Sequence, residues 1–171
     1  SNRNLTFYVP AYQRGYRWNI EQVRQLIEDI REFGENYPPS NAQKAFYCLQ
    51  PVVVKETVFN NVDCFEVIDG QQRLTTILLI MQAMTQIRLQ EYSTEYIPIK
   101  SAYEIQYEQR IPSSEWLKEV VEAFKNPSDD FKDRNCDYYH FFIVYEEAYK
   151  LLNKMNEQEL NTFHSVLKDF T

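Results

Sequence analysis

Residues 65–76 read FEVIDGQQRLTT, and they place Asp69, Gly70, Gln71, Gln72 and Arg73 where a β-branched apolar run gives way to a helical pattern. The N–H groups that open a helix lack intrahelical partners, and the helix dipole puts partial positive charge there. A glycine lets an anion approach such an end closely. Arg73 adds a planar fork that matches phosphate oxygens. Gly70 with the adjacent backbone amides, and Arg73, are therefore candidate phosphate ligands, and Gln71 and Gln72 are candidates to orient a water or a phosphate oxygen. Asp69 would repel a bare phosphate. It fits either as a ligand for Mg²⁺ that bridges to phosphates, or as a group that positions an attacking water. It fits equally as an N-cap, and both readings stay open.

A second cluster lies in AYQRGYRWN, where Tyr12, Gln13, Arg14, Tyr16, Arg17 and Trp18 put two arginines among three aromatics without an amphipathic period. One reading is a surface loop whose rings pack on the core while the arginines stack on them. The other makes it the second wall of an anion pocket, offering arginine and glutamine towards residues 69–73. The second is adopted here, with Tyr12, Gln13, Arg14 and Tyr16 as phosphate- or nucleotide-binding candidates and Trp18 as a brace.

These clusters must be positioned by regular elements. Leu5–Val9 reads as a short strand stopped by Pro10, and Asn19 with Gln22 reads as a capping box that opens a helix. Ile20, Val23, Ile27, Ile30 and Phe33 carry that helix, with Gly34 and Pro38-Pro39 closing it. Phe46–Lys55 and Val62–Ile68 are β-rich runs around Asn60-Asn61, residues that tolerate left-handed backbone, so a hairpin is expected. Pro51 inside the first run points to an edge or a bulge. After Gly70 the pattern Leu74, Ile77, Leu78, Ile80, Met81, Met84, Ile87 is apolar on most sides, which predicts a central helix covered by sheet and by other helices. Tyr103–Gln109 alternates as a strand, and Pro112-Ser113 opens a helix through Trp116, Leu117, Val120, Val121 and Phe124. Lys125–Asn135 reads as a loop. Two further helices follow, one on Tyr138, Phe141, Tyr145, Ala148, Tyr149 and Leu152, the other from about Glu157 to Phe170. The expected fold is α+β, with more helix than strand.

Composition narrows the function. The 171 residues are 44% hydrophobic and 25% charged, enough for a real core and too apolar for disorder. The net charge of −7 falls wholly in residues 91–171, where nine Lys and Arg face sixteen Asp and Glu; residues 1–90 balance nine against nine. An acidic half repels a duplex, so broad electrostatic binding to DNA is not expected of this chain. Cys48, Cys64 and Cys136 have no CxxC spacing, and His140 and His164 are isolated, which argues against a disulfide framework and a zinc site. The Ile77–Met84 run is broken by Gln82 and too short for a membrane span, so a cytoplasmic location is expected. The start at Ser1-Asn2 is read as that of a domain cut from a longer protein.

At the two polar clusters the chain resembles the N-terminal domain of GmrSD-type, modification-dependent restriction systems. VPAYQRGYRW and EVIDGQQRLTTI carry the resemblance, and YEIQYEQR and CDYYHFFIVYEEAY continue it in the same order over roughly residues 5–155. The resemblance implies a small mixed sheet related to the ParB and sulfiredoxin fold, with packed helices, in residues 1–110. A mainly helical extension in residues 111–171 would pack on it. It implies that the domain binds or hydrolyses a nucleoside triphosphate, coupled to DNA cleavage by a separate C-terminal HNH-type domain; Mg²⁺ is the cofactor expected from Asp69. Carried over by motif, the catalytic residues are Asp69, Gln71, Gln72 and Arg73, with Asp69 on the metal. The phosphate- and nucleotide-binding residues are Tyr12, Gln13, Arg14, Tyr16, Gly70 and Arg73.

Binding thus has support from the junction itself, whereas hydrolysis rests on the resemblance, because nothing in the sequence fixes an in-line water. No HNH-like pattern is present, so DNA would be reached only through other parts of the parent protein; self-association is left open. Two other readings remain. One is a DNA-binding or nicking module that uses the arginines on DNA phosphates. The other is a non-catalytic interaction domain in which Arg73 holds Asp69 in a buried pair.

Overall fold

The computed structural model describes residues 5–36, 50–89, 103–127 and 136–169. Leu5–Val9 (β1), a β-branched and aromatic run ended by Pro10, is the strand on which the sheet is organised. The other strands are Val53–Phe59 (β2), Val62–Asp69 (β3) and Tyr103–Tyr107 (β4), and the order across the sheet is β2-β3-β1-β4. β1 runs parallel to both neighbours, with Phe7 beside Phe65 and Val9 beside Tyr107, whereas β2 and β3 form an antiparallel hairpin. The carboxyl ends of three parallel strands, at Val9, Asp69 and Tyr107, therefore share one edge. Both polar clusters leave the sheet there.

The hairpin turns on Asn60 and Asn61 at φ of 51° and 62°, the left-handed pair that a two-residue turn requires. The sequence places the first strand at Phe46–Lys55, but the pairing continues to Phe59 beside Val62, because so tight a turn keeps the ladder intact up to the asparagines. Residues 46–49 and the Pro38-Pro39 pair lie outside the described residues. A register shift falls between Val53 and Val54, just after Pro51.

Five helices are described: Ile20–Asn36 (α1), Gln71–Leu89 (α2), Ser113–Lys125 (α3), Cys136–Leu152 (α4) and Glu157–Asp169 (α5). The capping box of α1 is formed, with Gln22 N–H donating to Asn19 Oδ1 and Asn19 N–H to Gln22 Oε1, both at 3.0 Å. Asn156 and Glu159 repeat it at α5. α1 continues through Gly34 to Asn36 rather than ending at the glycine.

α2 is the central helix that its apolar pattern predicts. Leu74, Leu78, Leu79, Ile80, Ala83 and Met84 are buried in one core with Val9, Val67 and Ile105 of the sheet and Phe141, Val144 and Ala148 of α4. α3 packs on α4 and β4, and α1 on α4 and α5, so the helices after residue 111 share the core of the first part. Trp116 and Phe141, both fully buried, stack at 4.4 Å between α3 and α4. The architecture is α+β, a four-stranded mixed sheet with packed helices. Among the described residues no helix is long and apolar enough to cross a membrane.

Candidate functional site

The segment from Pro10 to Asn19 has no regular structure, and neighbouring segments hold it from several directions. Ala11 N–H donates to Glu108 at 2.5 Å, and the Gln13 amide donates to the Ile68 carbonyl at 3.1 Å. Gln72 does most to fix it. Its Oε1 accepts the Arg17 N–H at 2.8 Å and its Nε2 donates to the Gly15 carbonyl at 3.0 Å, so one buried side chain satisfies a donor and an acceptor of the loop backbone. Gln71, also buried, reaches the Arg14 carbonyl at 3.5 Å. The two sequence clusters are therefore in direct contact, and both glutamines face the loop.

The remaining junction residues divide. Asp69 is 74% exposed; its Oδ1 accepts the Gly70 N–H at 2.8 Å, and Oδ2 lies 4.0 Å from Arg73 Nη2. The pair is not buried, which removes the basis for reading Asp69 as an enclosed partner of Arg73. Arg73, only 14% exposed, donates instead to Gln50 Oε1 at 2.5 Å and the Pro51 carbonyl at 3.0 Å, bracing the approach to β2. Gly70 has φ of +100°, and a Cβ there would lie 3.0–3.3 Å from Val52 and the Arg73 guanidinium. Glycine is thus required both by backbone angle and by this close approach.

Of the aromatics, Tyr16 points inward. Its hydroxyl donates to Thr76 Oγ1 at 2.7 Å, since the Thr76 hydrogen is already given to the Gln72 carbonyl, and burial pushes the phenol pKa well up. Tyr12 is 71% exposed and donates to Glu66 at 2.8 Å, a hydrogen bond that raises its pKa. Trp18 is half-buried against the core, and His140 Nδ1 donates to its carbonyl at 3.2 Å.

On the other side of the loop is a hollow of about 230 Å³, bordered by Gln13, Arg14, Arg17, Glu108, Arg110 and Asp137. Three guanidiniums meet two carboxylates there, leaving one net positive charge. Arg17 Nη1 lies 2.6 Å from Asp137 Oδ1, and Arg110 Nη2 pairs with Oδ2 of the same carboxylate. Arg110 also sits over the Tyr107 ring at 4.9 Å, and burial lowers its pKa. Burial raises the Tyr107 phenol to about 12; its hydroxyl shares a hydrogen bond with Thr75 on α2. Arg14 is exposed, and among the described residues no ion pair engages its guanidinium. The arrangement suits a multiply charged anion: two arginines fixed by a buried acid, and a third able to close over the ligand.

Reasoning from sequence did not single out Arg110 or Asp137, although both lie inside the YEIQYEQR and CDYYHFF stretches. The available signal was Asp137 itself. It shares a helix face with Phe141, Val144 and Ala148, and a carboxylate on an apolar stripe needs a partner.

The model of one protein family, the GmrSD restriction endonuclease N-terminal domain, matches residues 1–171. The chain belongs to that family. As a GmrSD N-terminal domain it is a component of a restriction, or phage-defence, system. No curated protein matches the sequence.

Proposed function

We propose that this GmrSD N-terminal domain binds a nucleoside triphosphate at the carboxyl edge of its parallel strands and hydrolyses it as the regulatory part of the restriction system. The observation that carries the reading is the meeting of Arg14, Arg17 and Arg110 around one hollow, at the edge where α/β sheets receive ligands. A hollow of about 230 Å³ is smaller than the ~300–1,000 Å³ typical of sites that enclose whole small molecules. It suits the phosphate chain, leaving sugar and base outside, where the exposed Tyr12 ring can stack.

Gln13 and the three arginines contact phosphate oxygens in this reading. Gln71 and Gln72 hold the loop that carries Arg14 and Arg17, and Tyr16 anchors that loop in the core. Gly70 and Arg73 shape the turn that starts α2. Mg²⁺ fits on one condition. Among the described residues no three acidic, histidine or cysteine side chains cluster as a ligand set. Mg²⁺, however, commonly takes one or two carboxylates and draws its other ligands from phosphates and water. Asp69, at the carboxyl end of β3 but not among the residues that border the hollow, is the exposed carboxylate of that edge that would hold it. The bound ion would neutralise charge developing on the phosphates. Cleavage of DNA is assigned to a separate domain of the parent protein.

The test is thermal unfolding of the chain with each of the four ribonucleoside triphosphates, with and without Mg²⁺. A ligand at ~100 times its Kd stabilises by about 2.7 kcal/mol, and the shift should depend on Mg²⁺ only while Asp69 is intact. A well-folded sample that responds to none of the four overturns the reading. Strong, salt-sensitive binding of duplex DNA in its place would favour a DNA-binding module.

A further inference from the structure

The acid at the centre of the hollow comes from the first turn of α4, far in sequence from both arginines it touches. Its side chain is 3% exposed, and its two oxygens are divided between Arg17 on the loop and Arg110 after β4. Gly15 lies against it: a Cβ at that position would fall inside contact distance of Oδ1 and 2.8 Å from Oδ2. The carboxylate is thus pressed against loop backbone that has no side chain to spare. A guanidinium on a long stem loses much rotational freedom on being fixed, and a shared buried acceptor meets that cost before a ligand arrives.

We infer that Asp137 is a positioning residue for anion binding, fixing where Arg17 and Arg110 stand in the wall that meets a phosphate chain. This deepens the nucleotide reading and rests on it for the identity of the anion. It also makes α4 a structural part of the site, so that ligand contact with either arginine bears on the start of that helix.

A purely neutralising role makes the opposite prediction, because removing the acid would raise the positive charge of the hollow and tighten every anion. The probe is inorganic tripolyphosphate, titrated calorimetrically well below the melting temperature beside the preferred nucleoside triphosphate. Asp137→Asn should weaken tripolyphosphate about tenfold to a hundredfold, the range seen where a partner that orients a ligating group is lost. Gly15→Ala should do the same, because it displaces the carboxylate while every charge remains. Glu147→Gln is the matched control. Glu147 is a buried acid on the same helix, 2.5 Å from Arg24 Nε and away from the hollow; its loss should lower the melting temperature and leave affinity unchanged.

Unchanged or tighter binding by Asp137→Asn, with the wild type binding normally, overturns the inference and leaves the nucleotide reading standing. Tripolyphosphate binding that weakens in both variants, without preference for any nucleotide, supports the inference and overturns the nucleotide reading. A wild type that binds neither probe overturns both.

Discussion

On the side of the 10–19 loop that meets α2, polar side chains hold main chain; on the side that faces the turn after β4, charged side chains border a hollow. Gln72 satisfies two backbone groups of the loop, and Arg73 donates to Gln50 and Pro51. Across the loop, Arg14 is exposed, and Arg17 and Arg110 border the same hollow while a single acid holds both. The same residue types serve opposite ends. Glutamine and arginine beside a glycine at a helix start need not touch a ligand; they can build the support on which a neighbouring segment does so. A buried amide that pairs with main chain gives rigidity, and an unpaired guanidinium gives affinity.

The contrast can be broken most directly at Gln72. Gln72→Ala removes two hydrogen bonds and strands a donor and an acceptor, so urea unfolding should show a loss of about 2–3 kcal/mol. A change under about 0.5 kcal/mol, the level of an inert surface site, would mean that the α2 side is not the support it looks to be. Gly70→Ala should cost about 1–3 kcal/mol in the same measurement, since alanine must adopt a positive φ and push on Val52. Arg14→Ala should be smallest in stability, within about 0.5 kcal/mol. It should nonetheless weaken nucleotide or tripolyphosphate about tenfold by calorimetry, through the loss of charge-assisted hydrogen bonds. Were Arg14→Ala to destabilise strongly and bind normally, the two sides would have to exchange roles.

What could be read from the sequence follows the range of the forces involved. The Asn19–Gln22 box, the Asn60-Asn61 turn and the all-round apolar α2 are local or periodic features, and each forms as expected. The meeting of the Tyr12–Trp18 segment with residues 69–73 was also legible, because both flank strands and carry complementary polar groups. Two things were not. The direction in which Gln71, Gln72 and Arg73 point depends on where the loop and Pro51 happen to pass, which no spacing encodes. The joining of residues 17, 110 and 137 depends on which helix start the sheet edge abuts, a purely tertiary matter. Only the misplaced acid on the face of Phe141 hinted at it.

The central position of β1 governs the order in which this architecture can be assembled. Its parallel partners lie about 58 and 98 residues away along the chain, as Phe7 beside Phe65 and Leu5 beside Tyr103 show. Such distant closures forfeit chain entropy before any contact repays it, while the β2–β3 ribbon closes over a two-residue turn. The hollow needs both distant closures and the docking of α4 as well. It is therefore among the last features a refolding chain can complete, and a nascent domain would gain its shape well before its grip on anions.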